Sequence, residues 1–89
     1  PRTVLLRIAP TAPAYVCVAD GAGATLFEGM LSEPYAVRRP RLILRIGVAT
    51  ARITANGRPV HVAVAPSSFA LTPTRVLPLP RDARVCGGG

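Results

Sequence analysis

Two cysteines, one histidine, the adjacent serines Ser67 and Ser68, four acids and eleven arginines are the side chains of this 89-residue chain that could do chemistry. Their spacing argues against most of it. Cys17, Cys86 and His61 have no short ligand spacing between them and fall short of a zinc set. Ser67 and Ser68 would need a base oriented by a third group, and His61 with the scattered acids Asp20, Glu28, Glu33 and Asp82 gives no such arrangement. Gly21-Ala22-Gly23 leads into no helix and no GxxxxGK pattern occurs, so a phosphate-cradling loop is absent. We therefore expect neither enzyme nor cofactor, and read His61 as a surface residue. The cysteines leave two arrangements open: a core thiol with an unrelated tail thiol, or a disulfide closing a loop of about 70 residues, which chain entropy values at roughly 4 kcal/mol. We expect the disulfide, Cys17 to Cys86. It would pin the Pro-rich tail to the strand carrying Cys17 and fits an oxidising compartment.

The arginines are the other chemical resource. All eleven basic residues are Arg, the net charge is +7, and Arg38, Arg39, Arg41 and Arg45 fall close together. A GC-rich coding sequence accounts for Arg in place of Lys but not for the shortage of acids. The remaining field favours anionic partners such as nucleic acid, acidic lipid head groups or acidic wall polymers. A nucleic-acid-binding domain of the OB-like kind is the alternative reading. It needs aromatics interleaved with the basic groove. Tyr15, Phe27, Tyr35 and Phe69 are the whole aromatic complement, and at least two are needed inside.

The elements that must position these groups are strands. From Arg41 to Val64 apolar residues alternate: Leu42, Leu44 and Ile46, then Ala49, Ala51 and Ile53, then Val60, Val62 and Val64. This period of two predicts three consecutive antiparallel strands with one buried face. Asn56-Gly57 suits a type I′ turn and Gly47-Val48 a type II′ turn. Pro59 falls at a position outside the hairpin ladder, which predicts an edge strand. Arg39, Arg41 and Arg45 share the parity opposite Leu42, Leu44 and Ile46, giving a basic stripe if the strand runs through Pro40.

Elsewhere the pattern predicts strands over 3–9, 15–20 and 25–31, with turn chemistry after Asp20 and a face-switching bulge at Gly29. Residues 35–39 read as a short extended segment crossing between sheets, 66–68 as a loop, and 69–77 as a last edge strand despite Pro73. No helical period occurs. The expected fold is all-β, a small antiparallel β-sandwich of about seven short strands, with residues 1–80 as one domain and 81–89 as an extended tail with a flexible Gly-rich end.

The segments YVCVADGAGATLFEGML and LILRIGVATARITANGRPV resemble the extracytoplasmic C-terminal domain of RodZ-type bacterial proteins. The resemblance rests on Tyr15, Val18 and Asp20, on Gly23, on Leu26, Phe27, Glu28 and Gly29, on Leu44 and Gly47, and on Asn56 and Gly57. It covers about residues 3 to 77. Tyr15 stands where Trp is commoner, the cysteines lie outside the pattern, and the part after Val64 is longer and richer in Pro.

The resemblance implies a three-part parent: a cytoplasmic helix-turn-helix domain, one membrane helix and this β domain outside the cytoplasm. No apolar run here reaches the roughly 18 residues of a membrane helix. We therefore expect membrane attachment only through a segment upstream of Pro1, which reads as a cut end. The expected role is a non-catalytic binding or scaffolding module, linked to cell shape or envelope organisation. Its expected partner is a cell-envelope component or membrane protein, not nucleic acid.

Overall fold

Val4, Leu6 and Ile8 alternate with Leu5, Arg7 and Ala9, and the first three are buried to 1% exposure or less. They belong to β1 (Val4–Ala9), the first of nine strands in a computed structural model that describes residues 2–80 and Cys86. The others are β2 (Ala14–Asp20), β3 (Thr25–Leu31), β4 (Tyr35–Arg39), β5 (Leu42–Ile46), β6 (Arg52–Ala55), β7 (Arg58–Pro59), β8 (Ser67–Leu71) and β9 (Val76–Pro78). They form two antiparallel sheets, ordered β4-β1-β6-β7 and β3-β2-β5-β8-β9. One aliphatic core lies between them, built mainly from Val4, Leu6 and Ile8 of β1, Val16 and Val18 of β2 and Leu42, Leu44 and Ile46 of β5. Each such side chain, fully buried, stabilises the fold by about 1.5–3 kcal/mol.

Pro10 and Pro13 end the first strand, and the chain passes to the second sheet. The β2–β3 turn is held by Asp20, whose Oδ1 accepts the N–H groups of Ala22 and Ala24, both at 2.9 Å. Gly23 there has φ 92°, a backbone state that glycine enters at least cost.

The central region folds differently from its expected run of three strands. Gly47 does not turn the chain: its N–H donates to the Tyr15 carbonyl at 2.9 Å, extending the β2–β5 ladder by one residue. It is not among the positive-φ glycines, as a type II′ turn would require. The chain instead crosses to the other sheet, where β6 pairs with β1 in the register Leu6–Ala55, Arg7–Thr54, Ile8–Ile53 and Ala9–Arg52. Asn56 and Gly57, with φ 51° and 80°, then form the tight turn into β7. Ala55 stands opposite Arg58 and Thr54 opposite Pro59, and β7 is the edge of its sheet. Its ladder is shorter than the expected third strand. Val60 N–H donates to the Ile53 carbonyl at 2.8 Å, after which the chain leaves the sheet and Val64 is 56% exposed.

Three further expectations are corrected. The irregularity in β3 lies at Leu26, since Val18 pairs with Phe27 and Ala19 with Thr25, while Gly29 stays in register opposite Val16. That extra residue lets both Leu26 and Phe27 pack against the core, which explains the mixed parity of the strand. Residues 35–39 are a full strand, β4, paired with β1. Ser67 and Ser68 begin β8, and Pro73 sits in the β8–β9 turn instead of within a strand, so the expected single strand over 69–77 is a hairpin.

Asn56 joins three parts of the molecule. Its Oδ1 accepts Leu5 N–H at 2.7 Å, and its Nδ2 donates to the carbonyls of Thr3 and Pro73, both at 3.1 Å. The bond to Pro73 ties one sheet to the turn of the other. Asn56→Gly keeps the left-handed backbone and removes these bonds, and should cost about 2 kcal/mol in denaturant unfolding with an unchanged m-value. A loss below about 0.5 kcal/mol would show that the bonds carry no net stability.

Candidate functional site

The structure joins Cys17, in the middle of β2, to Cys86 as a disulfide, with Cα atoms 6.1 Å apart. Cys17 is fully buried and Cys86 is 7% exposed. Both pack with Ala19 and half-buried Ile43, so Cys86 covers part of the outer face of the five-stranded sheet. The remainder of the expected tail lies outside the described residues.

The four clustered arginines do not form one stripe, because the chain changes sheets at Pro40. Arg38 and Arg39 are on β4 of the four-stranded sheet, whereas Arg45 is on β5 of the other. Arg39 and Arg41 line a shallow cavity of about 290 Å³ at the β4–β5 link, together with Asp20 and Pro40. Arg45 is half-buried and donates from Nη1 to Ser68 Oγ at 3.0 Å. Ser68, on the outer face of the same sheet, is 3% exposed, so this contact satisfies a hydroxyl that would otherwise lose its hydration unpaired.

A different basic set assembles on the outer face of the four-stranded sheet. Inward parity of Val4, Leu6 and Ile8 turns Leu5, Arg7 and Ala9 outward, and the β4 and β6 registers add Arg38, Ala36, Thr54 and Arg52. Arg38 is opposite Leu5, Arg7 opposite Ala36 and Thr54, and Arg52 opposite Ala9. The three arginines therefore lie on one diagonal across β4, β1 and β6. Diagonal neighbours in an antiparallel sheet are about 7–8 Å apart. All three are exposed, and Arg38 Nη1 donates to Thr3 Oγ1 at 3.5 Å.

Between Arg7 and Arg52 the small residues Ala9 and Ala36, with Pro34 and Thr54, leave a depression of about 330 Å³. A second, of about 380 Å³, shares Arg52 and Thr54 and extends to Pro59 and His61. Among the described residues no carboxylate lines either. The nearest acid in sequence is the exposed Glu33, one residue before Pro34. Sequence reasoning missed this set because it paired β6 with β5. The signal was present: Arg7 and Arg52 each stand on the polar side of an alternating strand.

The five-stranded sheet presents a mixed outer face. Glu28, Cys17, Arg45 and Ser68 lie in one cross-strand row, and Tyr15 hydroxyl donates to Glu28 Oε2 at 3.2 Å. Loss of hydration, then the Glu28 hydrogen bond and charge, raise the Tyr15 phenol above its ordinary value near 10, with Arg45 opposing. Tyr35, half-buried and 5.2 Å from the Phe27 ring centre, is raised by burial and lowered in part by Arg39. Ser67 hydroxyl donates to the Val64 carbonyl, and His61 is exposed. Among the described residues no group of three or more His, Cys, Asp or Glu is placed to hold a metal ion.

No family model matches the chain, and no curated protein or solved structure is significantly similar to it. The geometry is therefore the ground for a functional reading.

The two raised phenols give a pH test. A raised native pKa contributes stability that is fully present below the unfolded value near 10 and is lost as pH rises through the native value. The chain has no Trp, so phenolate absorbance reads the tyrosines directly. Both should ionise above pH 10 in the folded protein and near 10 in denaturant. Glu28→Gln should lower the Tyr15 midpoint and leave Tyr35 unmoved. Titration of both at the unfolded value in the native state would contradict the placement.

Proposed function

We propose that this chain is a non-catalytic binding or scaffolding module that works outside the cytoplasm as part of a membrane-anchored bacterial protein, in the envelope-organising setting of the RodZ-type domains it resembles. The observation that carries the reading is the buried Cys17–Cys86 disulfide. Disulfides persist in oxidising compartments and are reduced in most cytoplasms. With the cysteines 69 positions apart in sequence, closure of the loop is worth about 4 kcal/mol by chain entropy, a large share of the stability of so small a domain.

Three of the side chains that could serve catalysis have structural partners instead. Ser67 bonds the Val64 carbonyl, Ser68 bonds Arg45, and Glu28 bonds Tyr15. The largest set of charged groups left open is the arginines of the four-stranded sheet, which suit recognition of anions, and the exposed His61 has, among the described residues, no acid, serine or cysteine beside it in the depression it lines. Membrane attachment belongs, on this reading, to a segment upstream of the domain.

The test is the thiol state in the cell. Protein taken from its own cells under acid quench and alkylated without reductant should carry no label and have a mass lower by two hydrogens than the reduced chain. Two labelled thiols would remove the support for an oxidising compartment.

A further inference from the structure

We infer that the diagonal Arg38–Arg7–Arg52 is a binding track for a linear phosphodiester polymer without bases, laid obliquely across the four-stranded sheet; this rests on the extracytoplasmic binding-module reading above. The first argument is spacing. The steps from Arg38 to Arg7 and from Arg7 to Arg52 are each a cross-strand diagonal of about 7–8 Å. A polyol phosphate with a three-carbon linker has six single bonds between successive phosphorus atoms. If three extended bonds advance about 3.8 Å, as between consecutive Cα atoms, six advance about 7.6 Å. One phosphate per arginine is then in register along the row.

The second argument is the surface between the arginines. Ala9, Ala36, Pro34 and Thr54 keep it low, leaving the 330 Å³ depression for the linker, and no carboxylate lines it among the described residues. Arg7 and Arg52, which both line this depression, suit a chain whose charge is on phosphates and whose remainder is small, with Arg38 one diagonal step further along the sheet. The neighbouring depression at Arg52, Pro59 and His61 continues the channel beyond the third arginine.

The third argument is what this face lacks for other anions. Single-stranded nucleic acid shares the phosphate repeat but is held largely by stacking on aromatic rings. Of the aromatics, Tyr15, Phe27 and Phe69 belong to the other sheet; Tyr35 lines the depression, but it has core parity opposite Ile8 and its ring leans on Phe27, so one half-buried ring stands where a base-stacking surface needs an exposed row. A lipid surface would call for apolar anchors beside the charges. Among the described residues the exposed large apolar ones are Tyr15, Met30 and Leu77, on the five-stranded sheet, and Val64, in the connection before β8.

The experiment uses the purified, disulfide-bonded chain and a defined poly(glycerol phosphate), with glycerol phosphate monomer, a single-stranded oligonucleotide and anionic phospholipid vesicles as the other arms. The polymer should bind at physiological salt and the monomer should not. Three neutralised phosphates predict a slope of log affinity against log salt of about −2. Arg7→Gln and Arg52→Gln should each weaken binding about tenfold and the triple variant with Arg38→Gln should abolish it, whereas Arg75→Gln, at the turn of the other sheet, should change it less than twofold. Unchanged circular dichroism and thermal midpoint in the Gln variants keep the comparison on binding.

Absence of polymer binding, or equal loss with Arg75→Gln, overturns the track. Tighter binding of the oligonucleotide or the vesicles overturns the choice of polymer. None of these outcomes bears on the thiol state in the cell, so failure of the track and failure of the extracytoplasmic reading are separate results.

Discussion

Burial of Val4, Leu6 and Ile8 from β1 against the second sheet, where Leu42, Leu44 and Ile46 of β5 face them, is the constraint on which the rest of the structure depends. All are 1% exposed or less, and each strand lies inside its sheet, flanked on both edges. Since successive side chains in a strand point to opposite faces, burying these residues fixes the outward set as well. Leu5, Arg7 and Ala9 must face out on one side of the sandwich, and Ile43 and Arg45 on the other. A slip of one residue would place Arg7 in the core and Ile8 in water, at a cost of several kcal/mol for the charge alone.

That division also separates the chemistry. On the outer face of the five-stranded sheet the polar groups are taken up by structural bonds: Cys86 covers Cys17, Ala19 and Ile43, Arg45 satisfies Ser68, and Glu28 is occupied by Tyr15. The outer face of the four-stranded sheet keeps its arginines exposed above small neighbours. A chain of net charge +7 thus spends Arg45 on its own packing and presents Arg38, Arg7 and Arg52 together. The reading as a binding module follows from this division of labour and from the disulfide, and the absence of matching relatives leaves it to rest on the residues themselves.

Much of the fold is legible in local pattern. Alternation marks which residues of β1, β2 and β5 are buried, and Asn56-Gly57 marks its turn, because both depend on neighbours in sequence. Pairing was not legible in the same way. The segment after Ile46 has the composition of a hairpin strand, and Gly47 has the identity of a turn residue, yet what decides its path is a backbone bond to Tyr15, thirty-two residues earlier in the chain. A methyl group on Gly47 would approach Tyr15 Cβ at 3.3 Å, so close packing against β2 accounts for the glycine as well as a turn would. The same error displaced the candidate site: nearness in sequence grouped Arg38, Arg39, Arg41 and Arg45, whereas the β1–β6 ladder groups Arg38, Arg7 and Arg52.

The placement of β6 is therefore the claim to test first, by NMR on uniformly labelled protein. The account predicts backbone cross-strand contacts of Arg7 with Thr54 and of Ile8 with Ile53, and no backbone pairing of β5 with residues 49–53, whose side chains meet those of β5 only across the core. Backbone-to-backbone contacts in an antiparallel register joining Leu42–Ile46 to Ala49–Ile53 would contradict it, restoring the local hairpin and dispersing the arginine diagonal.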